Sequence, residues 1–70
     1  MATVTYDREG DVLYIALAPE GPNTEGEEVH PGVVLMFDGD RIVGVEILPA
    51  SKILAPGALE GLPSPAPMEP

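Results

Sequence analysis

The sequence predicts a mainly β protein, a small α+β fold in which two consecutive β-hairpins form a four-stranded antiparallel sheet. Three observations support this prediction. β-rich apolar runs occur in two pairs, a short polar turn with a glycine joins each pair, and one short segment alone has helix start and stop signals. We expect residues 1–54 to form a single domain and residues 55–70 to form a Pro-rich C-terminal tail.

The first predicted hairpin joins the runs 3–6 and 12–17 through a polar turn. Both runs are rich in Val, Ile, Leu, Thr and Tyr, which favour strands. Gly10 in the turn can adopt the positive φ that tight turns require. These residues therefore predict the first two strands.

The second predicted hairpin joins the runs 33–37 and 41–48 through Asp38, Gly39 and Asp40. Asp-Gly between two apolar runs is a strong short-range hairpin signal. Between the two hairpins lie residues 19–31, which are rich in Pro, Gly and Glu and are predicted to form a connecting loop.

Apolar residues occupy both faces of the predicted strands, so each face needs a covering layer. One layer is a short C-terminal helical turn over residues 51–54 with Ser51 as its N-cap, and apolar side chains of the tail can dock beside it: Leu59, Leu62 and Met68. This is too little apolar area for both faces. We expect a second copy of the chain to cover the other face, which gives a homodimer.

The composition excludes several functional classes. Twelve acidic residues against three basic ones give a net charge of −9, which repels phosphate backbones and argues against direct nucleic-acid binding. An acidic surface suits a basic protein partner, although it also serves solubility. The absence of cysteine excludes disulfides and thiolate metal sites.

Location and source are also indicated by the sequence. The first residues resemble no secretory signal, and no apolar run approaches the length of a membrane span, so we expect a cytoplasmic protein. The chain has no Gln, a single Asn and nine Pro, a composition typical of a thermophile.

Glu46 is the most unusual candidate residue, because it is a carboxylate within the apolar run 42–48. A two-residue turn at Asp38 and Gly39 would place it on the face of Leu35 and Phe37. A carboxylate there needs donors or a raised pKa. The residues that can donate to it are Ser51, Lys52, Tyr6 and Tyr14. Structural bracing, catalysis and ligand binding remain open, with bracing favoured because buried polar groups usually find partners.

Other polar residues carry weaker signals. His30 lies in an acidic segment, which suits a solvated loop better than a metal site. The turn aspartates lack the ligand spacing of a calcium loop and are explained by turn chemistry. No nucleophile and base can be paired around Ser51 or Ser64. We therefore expect no enzyme activity, no cofactor and no metal.

Several segments of the chain resemble one small bacterial and archaeal family, that of domain of unknown function twenty-two eighty-three. The similarity spans residues 4–53 and rests on Tyr6-Asp7, Asp11-x-Leu13-Tyr14-Ile15, Gly32-Val33-Val34-Leu35 and Arg41-Ile42-Val43-Gly44-Val45-Glu46-Ile47-Leu48-x-Ala50-Ser51. The resemblance implies a compact β-hairpin domain with no established catalytic role. Five residues match the family pattern and form a candidate functional or structural signature: Asp7, Asp11, Tyr14, Glu46 and Ser51.

The resemblance also implies an antitoxin-like role, because relatives are similar to small partners encoded beside toxin proteins. Together with the charge, it predicts a protein-binding module that acts as a homo-oligomer on a basic partner. The alternative is a domain that binds a small ligand or a divalent metal through Glu46, Tyr14 and the turn aspartates.

Overall fold

A computed structural model describes residues 2–65 and shows a mainly β fold with one short helix. Its elements in chain order are β1 (Thr3–Asp7), β2 (Val12–Ala16), β3 (Thr24–His30), β4 (Val33–Asp38), β5 (Arg41–Ile47) and α1 (Ala50–Ile53). Both predicted hairpins are present, as β1 with β2 and β4 with β5. No helix within residues 2–65 is long and apolar enough to cross a membrane.

The sheet has five strands, so the prediction of four was wrong. The additional strand, β3, lies within the segment 19–31 that was predicted to be a loop. Glu and Gly are uncommon in strands, and every residue of β3 after Thr24 is exposed, so β3 lacks the alternation that reveals a half-buried strand. Its stability comes from pairing with β4 at the sheet edge.

The strand order is β1-β2-β5-β4-β3, and all neighbouring strands are antiparallel. The central strand β5 lies between β2 and β4. Residues 17–23 connect β2 to β3 and therefore pass across the end of the sheet. Near the start of this connection, the N–H groups of Leu17 and Ala18 both donate to the carbonyl of Val43.

The register of β4 and β5 also differs from the prediction. Asp38 pairs with Arg41, so the turn consists of Gly39 and Asp40, and Gly39 has a φ of 66°. A bulge between Met36 and Phe37 then places one extra residue in β5.

Beyond this bulge, Glu46 pairs with Val34 on one side and Tyr14 on the other. Since cross-strand partners share a face, Glu46 lies on the face opposite Leu35 and Phe37.

The first face of the sheet carries the hydrophobic core. The buried cluster consists of Tyr6, Leu13, Ile47 and Ala50. Partly buried side chains packed against it come from the sheet, from α1 and from the segment that follows: Val4, Val33, Val45, Ile53, Leu54, Leu59 and Leu62. The Tyr6 N–H also donates to the Pro63 carbonyl at 2.8 Å. Residues 59–63 thus cover the core, while Met68 lies outside the described residues.

The second face carries Tyr14, Val34, Met36 and Glu46, as the register shows. All four side chains are half-buried. Within residues 2–65 the only helix, α1, belongs to the first face, and no second sheet covers the second one.

Candidate functional site

The turn between β1 and β2 brings Asp11 to the start of α1, 40 residues further along the chain. Asp11 Oδ1 accepts a hydrogen bond from the Tyr6 hydroxyl at 2.6 Å and another from the Ser51 N–H at 3.0 Å. Its Oδ2 accepts from the Ser51 hydroxyl at 2.6 Å. The Asp11 carbonyl accepts from the Ala50 N–H at 2.8 Å. Asp11 therefore ties the first turn and β1 to the helix.

This geometry corrects the predicted helix start. Pro49 is the N-cap residue, its side chain makes no capping hydrogen bond, and Ser51 lies inside α1. The Asp11 carboxylate performs the capping instead, because it accepts the Ser51 N–H. A cap supplied by a residue so far away in sequence cannot be recognised from the residues around the helix.

The hydrogen bonds determine the protonation of this cluster. The hydroxyl of Ser51, followed by that of Tyr6, holds the pKa of Asp11 below its usual range. The hydrogen bond to Asp11 raises the pKa of Tyr6. An ionised carboxylate of lowered pKa is a weak base. The arrangement suits a structural brace.

A second cluster lies on the opposite face around Tyr14. The Tyr14 hydroxyl donates to Glu20 Oε2 at 2.5 Å. This hydrogen bond, burial and the nearby charges of Glu20 and Glu46 raise the pKa of Tyr14 to about 12. The tyrosine ring lies over Gly44, where an added Cβ would overlap its hydroxyl. A glycine in a central strand often marks such a close approach.

The five signature residues therefore fall into three places. Asp11 and Ser51 are joined by hydrogen bonds, and Tyr14 and Glu46 are cross-strand partners on the other face. Asp7 Oδ1 accepts hydrogen bonds from the N–H groups of the residues two and three positions later, which is ordinary turn chemistry.

Glu46 is not the centre of the hydrogen-bond network. Two of its predicted donors, Tyr6 and Ser51, donate to Asp11, and a third, Tyr14, donates to Glu20. The predicted signature also missed two participants, Tyr6 and Glu20. The register error explains the expectation for Glu46, because it placed this residue on the face of Leu35 and Phe37.

A cleft of about 340 Å³ lies beside the Asp11 cluster, between β1, α1 and the segment after it. Tyr6, Arg8, Ser51 and Glu60 are among its lining residues. The Arg8 guanidinium carbon is 5.3 Å from the centre of the Tyr6 ring, within range of a cation–π contact.

A second concavity, of about 400 Å³, lies at the β3 side of the sheet. Its lining includes three acidic residues, Glu25, Glu27 and Asp40, together with the ring of Phe37. Glu25 pairs with Phe37 in the sheet register, so these two side chains share a face. The concavity thus combines negative charge with an aromatic surface. In the part of the chain from residue 2 to residue 65, no group of three or more His, Asp and Glu side chains could hold a metal ion.

Comparison with known proteins gives one match. Searches of curated proteins and of solved structures each found none. The family model described as "Protein of unknown function (DUF2283)" matches residues 3–51, which include all of the sheet and the first helical residues. The match confirms the resemblance predicted from the sequence and covers well over half of the chain, so the protein belongs to the DUF2283 family.

Proposed function

We propose that this protein is a non-catalytic binding module for a basic protein and that it acts as a homodimer. The observation that carries the proposal is the acidic edge of the sheet, where Glu25, Glu27 and Glu28 are all exposed on β3. A concentrated negative field at an exposed edge attracts a basic partner and raises its rate of association.

The distribution of positive charge supports this proposal. The chain has three basic residues, Arg8, Arg41 and Lys52, and none of them lies on β3. Arg8 is directed to the tail, where it donates to the Ser64 hydroxyl and the Leu62 carbonyl, each at 3.4 Å. The carboxylates of Glu25 and Glu27 are therefore available to cations of another protein, whereas Glu28 Oε2 accepts from the Gly32 N–H at 3.3 Å.

The small core supports a homodimer. Within residues 2–65 the buried hydrophobic residues are Tyr6, Leu13, Val43, Ile47 and Ala50. A single core in a chain this small supplies only about 3–5 kcal/mol, and oligomerisation is one common remedy. A second copy seated on the face of Tyr14 and Val34 would bury the half-buried apolar side chains of that face.

The resemblance to small partners of toxin proteins leads us to propose a toxin as the basic partner. Neutralisation would then depend on occupying the basic surface of the toxin, a task that needs no catalytic group in this chain.

A small-ligand site is the second candidate, and the cleft beside Tyr6, Arg8 and Ser51 favours it. Its volume is within the range of small-molecule sites, and it places a guanidinium group beside an aromatic ring. A thermal-shift panel of metabolites and divalent metals tests this candidate. An increase in Tm with ligand concentration would support it, and an unchanged Tm across the panel would remove it.

Affinity capture tests the main proposal. The tagged protein is incubated with lysate of its source organism at low and at high salt, beside an unrelated folded domain of similar size and net charge. We expect a basic protein that is retained only by this chain and is released at high salt, where the screening length falls to about 3 Å at 1 M. Identical retention by the unrelated domain would contradict a specific binding role.

A further inference from the structure

We propose that β3 accepts an extended basic segment of the partner as a sixth strand, in which basic and apolar residues alternate. The inference rests on the proposed function and adds the site and the kind of segment bound.

The two edges of the sheet differ. At β1, the tail already approaches the edge, and the Tyr6 N–H donates to the Pro63 carbonyl. At β3, strand pairing within residues 2–65 occurs on one side only, with β4. Alternate residues of an antiparallel edge strand direct their N–H and C=O groups away from the sheet. The ladder of β3 with β4 is regular from Thr24 to Glu28, and a register shift follows between Glu28 and His30. The regular part is long enough to template an added strand.

The side chains of β3 determine which charge the added strand must carry. Glu25 pairs with Phe37 and Glu27 pairs with Leu35, so both carboxylates project on one face. Lysine or arginine residues two positions apart on an added strand would lie opposite them and reach the concavity beside Phe37. Opposite charges across neighbouring strands are stabilising.

The other face of β3 carries Gly26 and Glu28, and it specifies an apolar residue opposite Gly26. Gly26 lacks a side chain, and a Cβ built there would lie 3.0 Å from Val34 Cγ1 and 3.3 Å from Met36 Sδ. These two apolar side chains thus extend over the backbone of Gly26 toward the edge. An apolar residue of the added strand opposite Gly26 would contact these two side chains. Because the flanking residues of the added strand lie opposite Glu25 and Glu27 and are basic, basic and apolar residues alternate.

A second copy of the chain does not fit this edge. Two β3 strands paired with each other would bring glutamates of one copy next to those of the other, and like charges at an edge oppose pairing. The charge of β3 therefore favours a basic segment over self-association.

Binding of synthetic peptides tests the inference. The probe is a seven-residue peptide of alternating lysine and valine, acetylated and amidated. One control peptide has N-methyl groups on alternate residues, which block strand pairing without changing the charge. A second has the same composition with its lysines and valines in two blocks. Titration gives Kd, and amide hydrogen exchange locates the bound peptide.

We expect the alternating peptide to bind and to protect amides of β3, and both control peptides to bind more weakly. The double variant Glu25→Gln/Glu27→Gln loses two cross-strand charge pairs, which should raise Kd about 2- to 30-fold. The matched variant Glu9→Gln/Glu60→Gln removes the same charge at exposed residues away from β3 and should leave Kd nearly unchanged.

Three results would overturn the inference: no binding, equal binding of the N-methylated or block peptide, or protection confined to another part of the chain. The experiments distinguish failure of this binding site from failure of the proposed function. A basic partner captured from lysate that binds the Glu25→Gln/Glu27→Gln variant unchanged would preserve the binding role and refute this site. Protection of β3 by the alternating peptide, with no basic partner in the lysate, would support the site and contradict the role.

Discussion

Substitution of Gly44 by alanine tests the contact between β5 and Tyr14. The new Cβ would overlap the Tyr14 hydroxyl and would lie 2.9 Å from its Cζ and 3.1 Å from the Ile15 carbonyl oxygen. The tyrosine must therefore move, which disturbs its hydrogen bond to Glu20. Overpacking of this kind costs about 1–3 kcal/mol, and replacing a strand glycine by alanine returns about 0.5–1 kcal/mol.

The net expectation is a loss of about 0–2.5 kcal/mol in the free energy of unfolding. For a domain of this size each kcal/mol lowers Tm by about 4–8 °C. Urea unfolding followed by circular dichroism, at one fixed protein concentration, gives the free energy directly.

A double-mutant cycle isolates the cause. In a Tyr14→Ala background the overlap with the ring is gone and only the 3.1 Å contact with the Ile15 carbonyl oxygen remains, so Gly44→Ala should cost less than it does in the wild-type protein. Gly10→Ala, where a Cβ would meet its nearest neighbour at 3.3 Å in an exposed turn, is the matched control and should change stability by less than about 0.5 kcal/mol. An equal cost of Gly44→Ala in both backgrounds would refute the argument.

Three further predictions follow from the same structure. The raised pKa of Tyr14 stabilises the fold below pH 10, and this contribution is lost as pH rises toward 12; in an ultraviolet titration, Glu20→Gln should lower that pKa. Because the pKa of Asp11 is lowered from its ordinary value of 3.8, the ionised carboxylate stabilises the fold above that pH, and this contribution is lost as pH falls. Ser51→Ala should raise the pKa of Asp11 in a carbon NMR titration, and an unchanged pKa would contradict the brace. Val34→Lys places a cation between two cross-strand glutamates, so sedimentation should show a folded monomer, whereas a persisting dimer would exclude this face as the interface.

Local patterns were sufficient to predict most of the sheet. The runs that form β1, β2, β4 and β5 are apolar and β-rich, and their turns contain glycine, so their existence and pairing follow from short-range chemistry. The strand β3 is neither apolar nor β-rich, although its turn to β4 contains Gly32 with a φ of 85°. It is a strand because the neighbouring β4 offers it hydrogen-bond partners, and a local window does not contain that information.

The candidate site divides in the same way. Sequence patterns singled out Asp11, Ser51, Tyr14 and Glu46, and they indicated an acidic, single-domain chain of the DUF2283 family. The roles of these four residues were decided by tertiary structure.

A single bulge in β5 moved Glu46 to the opposite face, because side chains alternate along a strand and one extra residue reverses the alternation. The Asp11 brace to Ser51 depends on bringing together residues that are 40 positions apart. Composition and short-range pairing therefore determined the class and charge of this protein, whereas long-range register determined which side chains meet.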